Sequence, residues 1–290
     1  MNTETREISL RDRDKIEELR RTCGHVSASH AFASLYIWRV DMGLSICLGE
    51  DAFAVKYRLR GDNSWFFPCG KPEAVREFIS AMLERSEPLR LSYVRDEDAD
   101  FLRREFPGRF QIAEVPGDSE YIYDRAGQVS LDGGRFVRLR NDIHRIERGH
   151  ELCWEPVGPG HGVETARAVC RSWAHPTASP EGLRDARACD CLFDNWQELE
   201  ARGVIVYVDG EPMSVTAGYP LSEEIFDLSL SKQSRRLSGL SVYSRHALIR
   251  SLPEEYQLLN GEEDLGIAGL RQMKELMRPV SMIKMYEGRA

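Results

Sequence analysis

Residues 260–274 read Asn-Gly-Glu-Glu-Asp-Leu-Gly-Ile-Ala-Gly-Leu-Arg-Gln-Met-Lys. The segment lies between a short apolar run, which predicts a buried strand, and a run with helical spacing, which predicts an amphipathic helix. We expect Glu262, Glu263 and Asp264 to begin this helix, because free N–H groups and the dipole at a helix start favour negative charge. Three carboxylates exceed what a helix start needs, and Arg271 and Lys274 follow on the same helix. The segment therefore has the concentrated charge of a ligand site at a strand end.

The elements around this segment follow one order in both halves of the chain: a hairpin, a strand, a helix, a strand, a helix and a final strand. In the first half they are predicted at residues 44–59, 64–67, 72–83, 89–94, 96–106 and 110–115. In the second half they are predicted at residues 203–218, 225–230, 240–252, 256–259, from 262 onward and at 281–286. The same order at similar spacing is typical of an internal structural repeat.

This repeated order predicts mixed, partly parallel sheets covered by helices, an α/β class. It is also the order of elements in the GNAT acyltransferase fold. We therefore predict two tandem GNAT-like domains, residues 1–125 and 126–290, with a seam within residues 117–134. The first domain is expected to be structural, and the second is expected to carry the active site.

Length and composition are those of a soluble globular protein. The chain has 290 residues, 42% hydrophobic and 30% charged, which is enough to bury a substantial core. Charges interrupt every long apolar run, so no segment is predicted to span a bilayer, and the polar N-terminus lacks the apolar core of a signal peptide. Seven cysteines at irregular spacing do not predict a disulfide framework. These features predict a cytoplasmic protein without stable membrane insertion.

Metal ligation is not predicted. The metal-like groupings are Cys23-Gly24-His25 with His30, and Cys189-Asp190-Cys191. Neither has a second ligand pair at a recognised spacing, so both are interpreted as buried small hydrophobic residues and surface histidines without a metal.

The charge pattern excludes one class of protein and leaves another open. A net charge of −8 argues against non-specific coating of nucleic acid, which needs many cations to neutralise phosphates. A local basic segment nevertheless spans residues 135–148, which include five arginines and His144. It predicts either a local nucleic-acid groove or a solvated helix face, and the sequence leaves both open.

Four segments carry a resemblance to a known family. They are Phe32-Ala33-Ser34-Leu35-Tyr36-Ile37-Trp38, Tyr121-Ile122-Tyr123-Asp124 together with Arg140-Asn141-Asp142-Ile143, the strand end at Lys232, and residues 260–274. Over nearly its whole length the chain resembles the DUF2156 family, which is similar to the C-terminal catalytic domain of lysyl-phosphatidylglycerol synthases. More distantly it resembles the Fem-type aminoacyl-tRNA-dependent transferases, which share the tandem GNAT-like fold.

The resemblance implies transfer of an aminoacyl group from tRNA, with aminoacyl-tRNA as co-substrate and no resident cofactor. Such transfer needs a positioned acceptor, donors for the developing oxyanion, and recognition of the donor's amino group. The catalytic candidates are Lys232, Glu263 and Asp264. The substrate-binding candidates are polar residues of the motifs and their neighbours: Tyr123, Asp124, Arg140, Asn141, Asn260, Glu262, Arg271 and Lys274. With no membrane segment, a small-molecule or peptide acceptor is expected rather than a lipid.

Two other functions remain open at this stage. An acyl-CoA-dependent acetyltransferase would cradle the pyrophosphate on backbone N–H groups at a strand-to-helix turn, and residues 236–241, Arg-Leu-Ser-Gly-Leu-Ser, loosely fit such a turn. The matching turn of the first half, residues 68–72, is rich in proline, which lacks the N–H group. A non-catalytic binding protein is the other alternative, since Gly261 and Ser231 stand where the family pattern has arginine and glutamate.

Some candidates also have a purely structural interpretation. The charged residues can form an ion-pair network that holds the strand end against the helix. Tyr121 and Tyr123, at alternating positions, can pack one face of a strand.

Overall fold

The structure is a computed structural model that describes residues 4–60, 63–85, 87–158, 162–174, 180–233 and 237–290. The chain divides into two compact units. The first comprises Met1–Glu120, Glu263–Ile267 and Met282–Ala290, and the second comprises Tyr121–Glu262 and Ala268–Ser281. In the part of the chain that is described, every helix is too short or too polar to cross a membrane.

Helices and strands alternate along most of the chain. Up to residue 114 they are α1 (Arg13–Thr22), α2 (Phe32–Trp38), β1 (Leu44–Leu48), β2 (Ala52–Tyr57), β3 (Ser64–Phe66), β4 (Cys69–Gly70), α3 (Pro72–Leu83), β5 (Arg90–Val94), α4 (Asp96–Glu105) and β6 (Gln111–Glu114). Next come β7 (Glu120–Asp124), α5 (Arg125–Ser130), α6 (Val137–Gly149), β8 (Leu152–Val157), α7 (Val163–Ala174) and α8 (Pro180–Asp194). The remainder is β9 (Arg202–Val208), β10 (Glu211–Gly218), β11 (Ile225–Asp227), β12 (Leu230–Gln233), α9 (Leu240–Ser251), β13 (Leu258–Asn260), α10 (Ala268–Leu276), β14 (Ser281–Ile283) and β15 (Tyr286–Arg289).

The first unit is built on one mixed sheet. Its strand order is β1-β2-β3-β5-β15-β6, with β4 paired to β2. β3 and β5 are parallel, and α3 connects them. α3 begins at Pro72, where the missing N–H costs nothing, and it buries a stripe of apolar side chains at helical spacing. Those side chains are Val75, Phe78, Ile79 and Met82.

The second unit repeats this arrangement with its strands divided between two sheets. One has the order β12-β10-β9-β8, and the other has the order β11-β13-β7-β14. β11 and β13 are parallel, and α9 connects them. β12 follows β11 after two residues and pairs with β10 instead. The chain from β11 to β12 therefore changes partners, and the two sheets diverge just beyond Asp227.

The repeated element order confirms the predicted tandem arrangement, but the two halves contribute strands to each other's sheets. β7, from the end of the first half, lies between β13 and β14. β15, from the end of the second half, lies between β5 and β6. The compact units therefore do not follow the single cut at residues 125/126 that we drew. An alternating pattern shows that a segment is a strand, but it does not show which sheet the strand completes.

The acidic residues of the 260–274 segment do not begin a helix, contrary to our expectation. α10 begins at Ala268, and the acidic residues precede it in an irregular turn. Glu262 and Leu265 have positive φ angles of 58° and 54°. Asp264 accepts a hydrogen bond from the backbone N–H of Gly266 through Oδ1 (2.8 Å), so its carboxylate stabilises the turn instead of a helix start.

Candidate functional site

Two buried polar residues end the parallel strands of the second unit. Asp227, the last residue of β11, lies opposite Asn260, the last residue of β13, and neither is exposed to solvent. Asn260 accepts a hydrogen bond from the backbone N–H of Glu262 through Oδ1 (2.7 Å). Ligands of open α/β sheets bind at the carboxyl ends of such strands, so this is where a site is expected. The fold thus places polar chemistry at the point where the sheets diverge.

Gly261 is required by the packing of Tyr123. The ring of Tyr123 lies against the glycine, and a Cβ atom at residue 261 would be 2.6 Å from its Cε2. Tyr123 is fully buried and donates a hydrogen bond to the carbonyl of Lys274 (3.2 Å). Burial raises the pKa of Tyr123, so its hydroxyl stays protonated. This packing accounts for the glycine that stands where the family pattern has arginine.

Lys274 is a buried cation of the same cluster. Its side chain comes from α10 and is 7% exposed, and its ammonium donates a hydrogen bond to the carbonyl of Gly261. The ammonium also lies 5.9 Å from the centroid of the Tyr121 ring, a distance that allows a cation–π contact. Of the predicted substrate-binding residues, Tyr123, Asn260, Glu262 and Lys274 thus come together around Gly261.

Arg245 completes the cluster, and sequence reasoning missed it. It lies on α9, it is 6% exposed, and its Nη1 has no hydrogen-bond acceptor among the described residues. Burial lowers the pKa of Arg245, an effect that the nearby Tyr123 and Glu262 oppose. The available signal was a positive charge in a helix that otherwise packs with Leu240, Ala247 and Leu248. We call Tyr123, Arg245, Asn260, Glu262 and Lys274 the Arg245 cluster.

The Arg245 cluster can bind an anionic or strongly polar group. A buried guanidinium costs free energy unless its N–H groups find acceptors, so the donor at Nη1 favours a ligand oxygen. Such an oxygen can belong to a carboxylate, a phosphate or the oxyanion of a reacting ester. Glu262 is partly exposed and supplies a carboxylate near this donor. The pair therefore suits a ligand that carries both an anionic oxygen and a cationic group.

Two of the predicted acidic residues lie in the other unit. Glu263 and Asp264 belong to the first unit, whereas Glu262 belongs to the second. Asp264 is 1% exposed and serves the turn described above. Burial raises the pKa of Tyr93, and the charge of Glu263 raises it further. The contacts described for Glu263 and Asp264 are thus those of the first unit.

Lys232 has an ion-pair partner inside the second unit. Its ammonium donates to the carboxylate of Asp185 on α8, and the backbone carbonyl of Lys232 accepts a hydrogen bond from Ser214 (3.1 Å). Both side chains of the ion pair are mostly buried, at 13% and 28% exposure. An ion pair between a strand end and a helix is what the structural interpretation of the charged residues predicts for Lys232.

Asp124 caps a helix, and Arg271 is exposed. Asp124 caps α5, since its Oδ2 accepts a hydrogen bond from the backbone N–H of Gly127 (2.6 Å). Arg271 lies on the exposed face of α10, while Lys274 of the same helix is buried. The structure therefore separates two basic residues that the sequence placed together.

Arg140 and Asn141 lie on α6. The Arg140 guanidinium donates to the backbone carbonyls of Leu131 and Gly133, the latter at 2.9 Å, and so holds the loop before α6. Asn141 is exposed. Arg140 also lines a separate pocket, which is described further below.

The turn considered for acyl-CoA is only partly described, because Arg236 lies outside the described residues. Gly239 precedes α9 with a φ angle of 93°, and a Cβ atom there would be 2.5 Å from the carbonyl oxygen of Asp142. Both the backbone conformation and the lack of space require glycine at this position.

The histidines of the first metal-like grouping are buried, contrary to our expectation of surface positions: His25 is 3% exposed, and His30 is not exposed. Cys23 Sγ lies 3.2 Å from Cys69 Sγ, and the rings of His25 and His30 are 4.1 Å apart. Within the described ranges, no group of three or more histidine, cysteine, aspartate or glutamate side chains has the arrangement of a metal site.

A family model described as phosphatidylglycerol lysyltransferase, C-terminal, matches residues 20–287. The chain belongs to this family. The match includes all five residues of the Arg245 cluster. No curated protein matches the chain.

Solved structures show that the fold of this family member is shared. A conserved protein of unknown function from Bacteroides thetaiotaomicron has 23% identity and a TM-score of 0.88, with 98% of each chain covered. The C-terminal domain of a putative lysylphosphatidylglycerol synthetase from Agrobacterium fabrum has 14% identity and a TM-score of 0.68, with 97% of this chain and 92% of that one covered. A tandem GNAT protein from the clavulanic acid pathway has 11% identity and a TM-score of 0.54, with 99% and 98% covered. The predicted tandem GNAT-like fold is therefore confirmed.

Proposed function

We propose that this member of the family transfers an aminoacyl group from aminoacyl-tRNA to an amine or hydroxyl acceptor. The observation that carries the proposal is Arg245, a buried guanidinium with an available donor beside Glu262, at the strand ends of a lysyltransferase-family domain. The resemblance to aminoacyl-tRNA-dependent transferases supports the choice of donor.

The cluster suits the charges of this reaction. The acceptor nitrogen or oxygen attacks the ester carbonyl of the aminoacyl-tRNA, and the carbonyl oxygen becomes an oxyanion. In this proposal Arg245 Nη1 donates to that oxygen, in a buried site where such a hydrogen bond is stronger than in water. The bond to the ribose oxygen then breaks, and the proton lost by the acceptor ends on that ribose hydroxyl.

Glu262 suits the other charge of the donor. An aminoacyl ester carries an α-ammonium group close to its reacting carbonyl, and a carboxylate beside the oxyanion donor can accept hydrogen bonds from it. Lys274, which donates to the carbonyl of Gly261, positions the chain between Asn260 and Glu262. The role of Lys274 is therefore to orient the cluster rather than to react.

The donor is tested with the full chain and a pool of tRNAs charged with labelled amino acids, together with a metabolite and peptide extract as acceptor. We expect label to move to an acceptor and the transfer to be lost after ribonuclease treatment. A parallel reaction with labelled acetyl-CoA is the matched control. Transfer from acetyl-CoA alone would replace the proposal with the acetyltransferase alternative.

A thermal shift experiment tests the non-catalytic alternative. A ligand at a hundred times its dissociation constant stabilises a protein by about 2.7 kcal/mol. Stabilisation by a non-hydrolysable aminoacyl-adenosine, with no transfer from any donor, would show a binding protein in place of an enzyme.

A further inference from the structure

A second polar pocket of the second unit has no role in the function proposed above. Its volume is about 220 Å³, and its walls come from α5, α6, β8 and α9. This volume is below the roughly 300–1,000 Å³ of pockets that enclose a drug-sized ligand, so it suits one flat ring system rather than a whole acyl-CoA. We call it the α6 pocket.

Aromatic side chains form one part of the α6 pocket. Trp154 projects from β8 and is 37% exposed, and Tyr243 comes from α9. Tryptophan presents a large, flat apolar face that gains free energy when a ligand covers it. An aromatic ring in an open polar pocket is a stacking platform for a nucleobase, whichever base is present.

Basic side chains surround the same pocket. Arg140 and Arg250 line it, from α6 and α9 respectively. The segment around α6 holds five arginines against Asp142 and Glu147, in a chain whose net charge is −8. These arginines are Arg135, Arg138, Arg140, Arg145 and Arg148. Arg140 lines the pocket and Arg145 pairs with Asp142, and the segment as a whole carries a net positive charge, which a phosphate backbone favours.

Hydrogen-bonding groups in the pocket match a base better than a bare phosphate. His246 Nε2 donates to the carbonyl of Val129 (3.0 Å), so its Nδ1 carries the lone pair. Burial lowers the pKa of His246, which keeps the ring neutral at pH 7. Glu147 is a second acceptor in the wall, and its charge contributes to a raised pKa of Tyr243, after burial. Two acceptors suit the exocyclic amino group of adenine or cytosine, whereas Glu147 would repel a phosphate that took the place of the base.

One helix connects this pocket with the Arg245 cluster. Tyr243, His246, Ala247 and Arg250 all line the pocket, and their spacing places them on one face of α9. Arg245 lies on the same helix and is buried in the cluster. Arg245 and Arg250 are five residues apart, about 7.5 Å along the helix axis. A donor strand held at the pocket would therefore be anchored to the helix that carries the oxyanion donor.

We propose that the α6 pocket binds the single-stranded 3′ end of the donor tRNA, with one base stacked on Trp154 and the adjoining phosphate at Arg250. The inference rests on the proposed function and adds the surface at which the RNA binds. Base and phosphate chemistry could also come from a free nucleotide, and the experiment separates these two sources.

The test measures binding of the uncharged trinucleotide CCA, labelled with fluorescein at its 5′ end, to the full chain by fluorescence anisotropy. We expect Trp154→Ala to weaken binding about 5- to 150-fold, the range of one lost base–aromatic stack, and Trp154→Phe to retain most of the affinity. Arg250→Ala should reduce the slope of log K against log salt by about 0.7, the value for one phosphate on a single strand. Arg202→Ala removes an exposed arginine outside the pocket and should change neither quantity.

Three results would overturn the inference. The first is no binding of the trinucleotide to the wild-type chain, and the second is wild-type affinity in both Trp154→Ala and Arg250→Ala. The third is equal affinity for adenosine monophosphate and the trinucleotide, which would assign the pocket to a free nucleotide. Because uncharged RNA has nothing to transfer, these outcomes are independent of the donor assay. If Trp154→Ala transfers the aminoacyl group with an unchanged KM for aminoacyl-tRNA, the pocket does not bind the RNA, whereas the proposed function is unaffected.

Discussion

The strand–helix–strand segments of the two units have the same topology and differ in the charge they bury. In the first unit, β3, α3 and β5 contribute aromatic and aliphatic side chains to one apolar core, which includes Trp65, Phe78 and Leu91. In the second unit, β11, α9 and β13 bury Asp227, Asn260 and Arg245. Apolar burial stabilises the fold directly, whereas buried polar groups cost free energy unless they are satisfied. On this difference we propose the first segment as scaffold and the second as site.

The largest effect is expected from a substitution that removes part of the apolar interior of the first unit. Phe78 is fully buried on α3 and packs edge-on against Trp65, with ring centroids 5.0 Å apart. Phe78→Ala should lower the free energy of unfolding by about 3–5 kcal/mol, because it removes buried surface and leaves a cavity. Urea denaturation measures this loss. Arg76→Ala, in an exposed ion pair of the same helix, should change stability by less than about 1 kcal/mol. Equal losses in both variants would contradict the scaffold role.

The matching change in the second unit should affect catalysis instead. Arg245→Met keeps the side-chain volume and removes a buried charge, so the free energy of unfolding should stay the same or rise. Aminoacyl transfer should fall by about 10²- to 10³-fold, the cost of losing one oxyanion donor. Single-turnover transfer and urea denaturation measure the two quantities, and Arg202→Met is the surface control. Unchanged transfer would remove Arg245 from the site.

A substitution at Gly261 tests whether the Tyr123 ring is what requires glycine at this position. Gly261→Ala places a Cβ atom 2.6 Å from the Tyr123 ring and should cost about 1–3 kcal/mol of stability. In a Tyr123→Leu background the same substitution should cost markedly less, because the ring is gone. Gly269→Ala is the matched control on α10, where a Cβ atom meets nothing within 4 Å, and alanine should stabilise the helix by up to about 1 kcal/mol. Additive costs in the double variant would mean that Tyr123 is not the obstacle.

The smallest effect is a pH dependence that belongs to the first unit. Burial lowers the pKa of His30 to about 3, and the nearby Arg95 and Arg20 add to the shift. The unfolded chain, with an ordinary histidine pKa near 6.5, binds the proton more readily than the folded one. This stability is therefore complete above about pH 6.5 and is lost as the pH falls towards 3.

The measurement is the free energy of unfolding in urea between pH 5 and pH 7. His30→Gln should reduce the slope by up to about 1.4 kcal/mol per pH unit on the acid side of this range. His25 is buried beside His30, and burial also lowers its pKa, so part of the slope will remain. An identical slope in the variant would contradict the assignment to His30.

Patterns within a single element were predictable from the sequence, and the site was predictable only in part. The helix at residues 72–83 and the hairpin at residues 203–218 depend on neighbouring residues, so both appear where we expected them. Tyr123, Asn260, Glu262 and Lys274 were proposed from motif positions and do come together. Arg245 was missed because the local signal, a positive charge among apolar residues, does not show that the helix is covered on that side.

The sequence by itself determined most of the order of helices and strands, the internal repeat and the family, because each depends on local spacing or on motif residues. Only the tertiary structure decided which sheet β7 and β15 complete, since strand pairing joins residues far apart in the chain. Only the tertiary structure separated Glu262 from Glu263 and Asp264, and buried Arg245 beside Tyr123. Burial and neighbouring charge set the chemistry of a side chain, and both come from residues distant in sequence.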